Sequence, residues 1–377
     1  MKKINLISVI ALTISSNFLL VDLHAKNTKK YPNIDGKVLF QTQFDRVLSK
    51  NKKGVSPNNA FVYIEPNFSV NFNENWSVKS QWRIQPNDVL TTRNQSNPER
   101  YRTFLSNDRG MNFDEMGLLV EELKINFTND DIKIFAGKFD PNFGTAHLKS
   151  KRMGVFTSQF NEDYNLREKI GAGVVAMLED SQINFNTFFN DNTDLSRSAI
   201  NDRGRASRNN NYAGDTGTIS SYSIAMEGQD LFNVKNLFYN IGYRSLGVDN
   251  KVNRSRETGF VIGSEYLHKI SNETSLIPFF EFVSLKNFGG IKGRDAQYTT
   301  VALIGNYRNW ISSVSSLNRN IAKSSFNDRH TYDQHLQLSI GYKFTNNITV
   351  DVSRSQLREN GNRASMIGVN VSYLYKF

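Results

Sequence analysis

Apolar and polar residues alternate with period two along most of this chain. The clearest run is at its carboxyl end, where Ile367, Val369, Val371, Tyr373, Tyr375 and Phe377 share one face and Gly368, Asn370, Ser372 and Lys376 the other. Such alternation puts one set of side chains on each side of a β-strand. About 9–11 residues is also the length at which a tilted strand crosses a bilayer, one face in lipid and one in water. A half-buried edge strand of a soluble sandwich shows the same local pattern, so the rest of the chain decides between them.

The pattern recurs. Ile34 to Phe44 alternates around Asp35, Lys37, Gln41 and Gln43, and Ala60 to Phe72 around Glu65, Asn67, Ser69 and Asn71. The turn residues Asn73-Glu74-Asn75 separate the latter from a third run, in which Trp76, Val78, Trp82 and Ile84 oppose Lys79, Gln81, Arg83 and Gln85. That is a hairpin signature, with Pro66 its one dissonant residue because proline cannot donate to a ladder. Further strands are expected at Gly117–Phe127, Ile132–Phe139, Ile170–Leu178, Ile183–Phe189, Ser221–Glu227 and Leu237–Arg244. Beyond these come Gly259–Tyr266, Leu276–Leu285, Gln297–Tyr307, Asn309–Leu317, Leu336–Phe344, Ile348–Ser355 and the terminal run. The total is about sixteen, within a range of fourteen to eighteen. Short connections such as Thr128–Asp131 and Thr345–Asn347 alternate with long polar ones near 46–59, 86–112, 140–169, 190–218, 245–257, 286–295, 318–333 and 356–364. Short turns at one end and long loops at the other are the asymmetry of outer-membrane barrels. The predicted fold class is therefore all-β, a transmembrane antiparallel β-barrel forming one domain over 26–377.

The amino terminus fits export. Lys2 and Lys3 precede an apolar stretch from Ile4 to Val21, and Leu23-His24-Ala25 offers a cleavage site, so 1–25 reads as a cleaved signal peptide. Polar residues interrupt the stretch too often for a spanning anchor, and no cysteine follows to carry a lipid. Mean hydropathy is −0.49, yet aromatics make up 12% of the chain. A barrel with a wet lumen and hydrophilic loops is polar in this way on average. The net charge is +10 for the full chain. No basic cluster interleaved with aromatics accompanies it, which argues against nucleic-acid binding.

Catalysis finds little footing. Past the signal segment only His147, His268, His330 and His335 remain. His335 falls on the lumenal side of its strand, where it is expected to be solvated; Ser339 on the same face is roughly 13 Å away at strand rise. No pair of His or carboxylate residues has metal-ligand spacing, and no phosphate-cradling glycine loop occurs. A non-enzymatic protein without cofactor or metal is expected.

The segment Gly137-Lys138-Phe139-Asp140-Pro141-Asn142-Phe143-Gly144, followed by Phe160-Asn161-Glu162-Asp163-Tyr164-Asn165-Leu166-Arg167-Glu168-Lys169-Ile170-Gly171, resembles the third-loop region of Gram-negative porins. The likeness is greatest to the branch holding phosphate- and polyphosphate-selective porins and their general proteobacterial relatives. Tyr373-Leu374-Tyr375-Lys376-Phe377 resembles the signal read by the outer-membrane assembly machinery. The resemblance implies a sixteen-stranded homotrimer in the bacterial outer membrane, among lipid and lipopolysaccharide. It implies passive diffusion of ions and small hydrophilic solutes. A dense arginine ladder, the mark of phosphate selectivity, is lacking.

Chemistry adds candidates. The segment 140–169 is too long for a turn and carries Phe143, Met153, Val155, Phe156, Phe160 and Tyr164, which need a surface to pack on. Folded into the barrel, it would oppose Lys149, Lys151 and Arg152 to Glu162 and Asp163 across a constriction. Pore-wall candidates include Lys79, Arg83, Glu122, Lys124 and Arg244; over all strands the lumenal charges nearly balance. Glu121 falls on the lipid side by parity, an unfavourable place that either a bulge or a subunit interface would relieve. The trimeric resemblance favours the interface. The rival function is a non-conducting adhesin or structural surface barrel, for which basic loop stretches such as Arg203-Gly204-Arg205-Ala206-Ser207-Arg208 are suited.

Phe377 supplies the first prediction. As the last outward aromatic it is where an assembly receptor reads the chain, so deleting it should lower membrane yield in cells and leave refolding in vitro largely intact. Normal insertion of the truncated chain in cells would refute this.

Overall fold

A computed structural model describes residues 30–51, 58–86, 116–156, 160–200, 212–249, 253–323 and 330–377. The signal segment 1–25 and the stretch 203–208 lie outside them. The described chain is a closed antiparallel β-barrel of sixteen strands; His268–Lys269 continues Glu257–Tyr266 past Leu267, so seventeen ladder segments make sixteen strands. Each strand pairs with its sequence neighbours, and Asn33–Lys50 closes the barrel against Asn362–Lys376 with Phe40 opposite Tyr373 and Phe44 opposite Val369. Closure removes the two sheet edges whose backbone groups would otherwise lack partners.

Alternation sets the faces. Phe40, Phe44, Ile125, Ile134, Phe185, Ile224, Phe260, Val301, Val314, Leu338 and Ile340 point outward and stay exposed, a continuous apolar girdle around the barrel. An apolar band of that extent marks a surface meant for lipid. Asn126, Asn186, Ser223, Asn240, Thr300, Ser315 and Ser353 point inward and are buried.

Every expected strand is present, with some boundaries moved. The strand expected as Asn309–Leu317 runs as Trp310–Ile321, which puts Arg319 on the inner wall. The long connection expected at 356–364 is instead two residues, because Ile348–Glu359 and Asn362–Lys376 run on to a tight turn at Asn360-Gly361. Both turn residues have positive φ, 51° and 78°, as a two-residue hairpin matching the twist of its strands requires. Pro66 fits because the ladder between Asn58–Asn71 and Trp76–Pro86 is interrupted there, with pairs at Ile64↔Ile84 and Asn67↔Gln81.

A second irregularity sits beside that gap. The pairing of Trp76–Pro86 with Met116–Thr128 slips from Gln81↔Glu122 to Trp82↔Val120, leaving Glu121 as an extra residue. This bulge turns Glu121 as well as Glu122 into the barrel, where Glu121 is 1% exposed. The expected lipid-facing position is thereby corrected, and the subunit interface is not what relieves it. Glu121 receives Arg83 Nη2 at 2.7 Å and a close contact from Arg167.

Glu121→Leu leaves both arginines short of a carboxylate in a largely dehydrated place. The expected cost is about 3 kcal/mol, at the low end for a broken buried pair because Glu65 and Glu162 remain. It would be read as an earlier unfolding transition on semi-native gels. A variant as heat-resistant as the parent would put Glu121 outside the network.

Candidate functional site

Residues 140–156 and 160–168 leave the barrel wall, lie within its interior and return to it. Both ends are pinned at one place. The Lys138 ammonium, fully buried, lies 3.0 Å from Glu168 and 2.8 Å from Asp191, and the Asp140 carboxylate accepts the Glu168 backbone N–H at 2.7 Å. Glu168 itself has φ 55°, a left-handed turn uncommon for a side-chain-bearing residue.

The descending half forms a helix, Ala146–Met153, whose amino end has no cap of its own. First-turn N–H groups lack partners inside a helix and carry partial positive charge. Glu281, from the wall strand Thr274–Lys286, supplies what is missing: its carboxylate accepts Thr145 N–H at 2.5 Å, Ala146 N–H at 3.0 Å and the Tyr164 hydroxyl at 2.7 Å. Gly144, with φ 77°, permits the approach; a Cβ there would stand 3.0 Å from a Glu281 oxygen. At the other end the Met153 carbonyl accepts Ser313 Oγ and Gln337 Nε2, each at 2.7 Å. Val155 N–H donates to Ser353 and Phe156 N–H to Gln337, so the tip is sewn to three strands.

The apolar residues of the segment fill the space this creates. Phe143, Met153, Phe156, Phe160 and Tyr164 are each at most 2% exposed. The Phe156 ring occupies the side of Gly368, where a Cβ would come within 2.5 Å of it. Phe156 and Phe160 enclose His335, each 6.4 Å from its ring in edge contact. His335 is thus lumenal by parity but buried, not solvated.

The charged candidates mostly pair with the wall rather than with one another. Lys149 and Arg152 both reach Glu265, at 2.8 and 2.6 Å. Lys151 lies on the same helix. Glu162 pairs with Arg167 at 3.0 Å. Asp163, expected at an aqueous rim, is instead buried with Arg319 at 2.8 Å, and Arg319 also holds Asp333 and Glu359 and stacks on Phe160. Arg244, expected on the open wall, lies beneath the segment; it pairs with Glu257, donates to the Tyr164 carbonyl and covers Phe143.

Among the described residues, one sector stays uncovered. Gln41, Gln43, Tyr63, Glu65, Asn67, Lys79, Gln81 and Arg83, on the first three strands, face inward and keep partial exposure. A chain of alternating charge, Glu65–Arg83–Glu121–Arg167–Glu162, joins this wall to the edge of the segment. Lys79 and Lys124 flank Glu122 at 2.7 and 3.1 Å. Arg167 and Arg319, which hold the segment to the two sides of the wall, went unassigned in the sequence. Arg319 had a signal there, since Leu317, Arg319 and Ile321 keep the parity of an inward face. Tyr373, Tyr375 and Phe377 point outward and exposed, with Tyr375 and Phe377 stacked at 6.0 Å.

No family model matches this sequence, and no curated protein matches it. Solved structures do. Salmonella typhi OmpF in complex with daunomycin aligns over 91% of this chain and 98% of its own, with 11% identity and a TM-score of 0.59. The outer membrane channel DcaP of Acinetobacter baumannii covers 91% and 96%, with 10% identity and 0.55. The outer membrane protein OpdK of Pseudomonas aeruginosa covers 92% and 99%, with 7% identity and 0.54. The shared property is the fold, a closed barrel of the outer-membrane channel type.

Burial shifts the titration of several groups on the segment. It lowers His147 to about 4 and holds the Lys149 ammonium below its usual range despite Glu265. Burial also raises Asp140 to about 7, against the pull of Arg167. An Asp raised from 3.8 to about 7 keeps a proton in the folded barrel where the unfolded chain has lost it. Its contribution is complete below about pH 4 and is lost as the pH rises through about 7. Hydrogen-exchange protection in 140–168, corrected for the intrinsic base-catalysed rate, should therefore fall between about pH 4 and pH 7, and Asp140→Asn should flatten that dependence. An unchanged pH profile in the variant would show that Asp140 does not carry it.

Proposed function

We propose that this chain is an outer-membrane porin, a passive channel for ions and small hydrophilic solutes, with 140–168 as its constriction. The observation that carries the reading is the segment itself. It is fastened at both ends and at its tip inside a barrel, and among the described residues one polar, charge-lined sector of the wall is left unoccupied. A barrel with a silent, filled lumen has no use for such a sector, and the adhesin reading has no comparable support. Discrimination then comes from pore width and the charges along the opening, Lys79 and Arg83 on the wall with Lys151, Arg152 and Glu162 on the segment, backed by the buried Glu122, Lys124 and Lys149. Because nearly every one of these is ion-paired, selectivity is expected to be weak, without phosphate preference. Export by the 1–25 signal, insertion by the assembly machinery reading Tyr373, Tyr375 and Phe377, residence among lipopolysaccharide and a homotrimeric state complete the proposal.

Refolded protein in a planar bilayer tests it. Stepwise conductance is expected, larger when residues 147–165 are removed. Changing Lys149, Lys151 and Arg152 to Glu should move the reversal potential in a salt gradient toward cations, and the same three changed to Gln should do so by less. A correctly folded but silent barrel would overturn the channel reading. Unaltered conductance and reversal potential in the variants would put 140–168 outside the conduction path.

A further inference from the structure

The apolar girdle gives way to charge at the closing seam, where outward arginines gather on adjoining strands. On Ile348–Glu359, Val352 is followed outward by Arg354, Gln356 and Arg358, all exposed. Arg363 of Asn362–Lys376 stands directly opposite Arg358, with Gln334 opposite Arg358 on its other side. Ile367 separates Arg354 from Arg46 of Asn33–Lys50, being paired with both. Four exposed arginines thus share one outward patch across three neighbouring strands, at the end of the barrel that carries the long connections.

Among the described residues no carboxylate pairs with any of the four, and every Asp and Glu within a strand lies on the inward face. Like charges directly opposite, as Arg358 and Arg363 are, destabilise a sheet. An arginine on a lipid face costs up to about 2–4 kcal/mol at mid-depth and little near the head groups. A cluster of them is tolerated where an anion waits at the interface, and the planar guanidinium fork fits phosphate in two-point contact. Long side chains at Arg46 and Arg354 extend toward that level from deeper positions.

We infer that Arg46, Arg354, Arg358 and Arg363 form a docking site for a phosphorylated lipid head group of the leaflet at the long-loop end of the barrel. A second copy of this chain is the weaker occupant, since its strand faces offer the arginines no carboxylate. The inference rests on the membrane placement proposed above and gives the lipid partner a specific address on the barrel.

The full barrel, refolded in detergent, would be mixed with a hexa-acylated bisphosphorylated lipid A or with the same lipid stripped of both phosphates. Native mass spectrometry counts the lipid retained. The parent should hold the phosphorylated lipid at least tenfold better than the stripped one. An Arg354→Gln, Arg358→Gln, Arg363→Gln triple variant should lose that preference. Equal retention of the two lipids, or undiminished preference in the triple variant, overturns the site. So does dimerisation of the parent that the triple variant abolishes. Should the triple variant fail to refold, Arg358→Gln alone relieves the like-charge pair and should reduce retention about threefold; no reduction counts against the site. Bilayer conductance of the parent separates this from the channel reading. A silent barrel that still selects the phosphorylated lipid removes the pore and keeps the patch, while a conducting barrel indifferent to phosphate does the reverse.

Discussion

A strand at the edge of a sheet has a row of N–H and C=O groups with no partner, and hydrocarbon offers none. Pairing of Asn33–Lys50 with Asn362–Lys376 is the interaction that removes this cost, and the remaining features of the molecule follow from it. Once the sheet is a cylinder, period-two alternation becomes a division between an apolar outside and a polar inside. The inside is then too wide for wall side chains alone to fill, as expected for a barrel of this strand number. The segment 140–168 occupies part of it.

Anchoring a segment within a polar lumen is an electrostatic problem. The wall meets it with carboxylates that answer specific needs of the segment: Glu281 for unpaired helix N–H groups, Glu265 for Lys149 and Arg152, and Asp333 with Glu359 for Arg319 and, through it, Asp163. Removing one member of such a buried group costs more than forming the group gains, so each contact specifies position more than it adds stability. Aromatic burial at Phe143, Phe156, Phe160 and Tyr164 supplies the net favourable term.

The strands were legible because alternation is a local property, and all sixteen could be located from it. The failures have physical causes. A single inserted residue at Glu121 reversed the parity of its strand, and no composition marks a bulge. The end of Ile348–Glu359 falls outside the expected strand Ile348–Ser355 because its outward positions there are Gln356 and Arg358, which break the apolar-out rule that identifies the others. The burial of Arg244, His335 and Asp163 depends on what lies across the lumen, and parity cannot see that. The aromatic residues of 140–168 did announce a packing surface; their partners, on strands far along the chain, did not announce themselves.

That separation has a kinetic side. Thr145 and Glu281 are 136 residues apart, Phe156 and Gln337 are 181 apart, and Val155 and Ser353 are 198 apart. The segment is synthesised well before the wall that holds it, so its helix has no cap and its aromatic residues no cover until the later strands arrive. Contacts of such sequence range form late and slowly, because the loop between the partners is ordered first. The lumen of this barrel is therefore furnished at the end of folding, and the strand pair that seals the cylinder also decides when its interior becomes ordered.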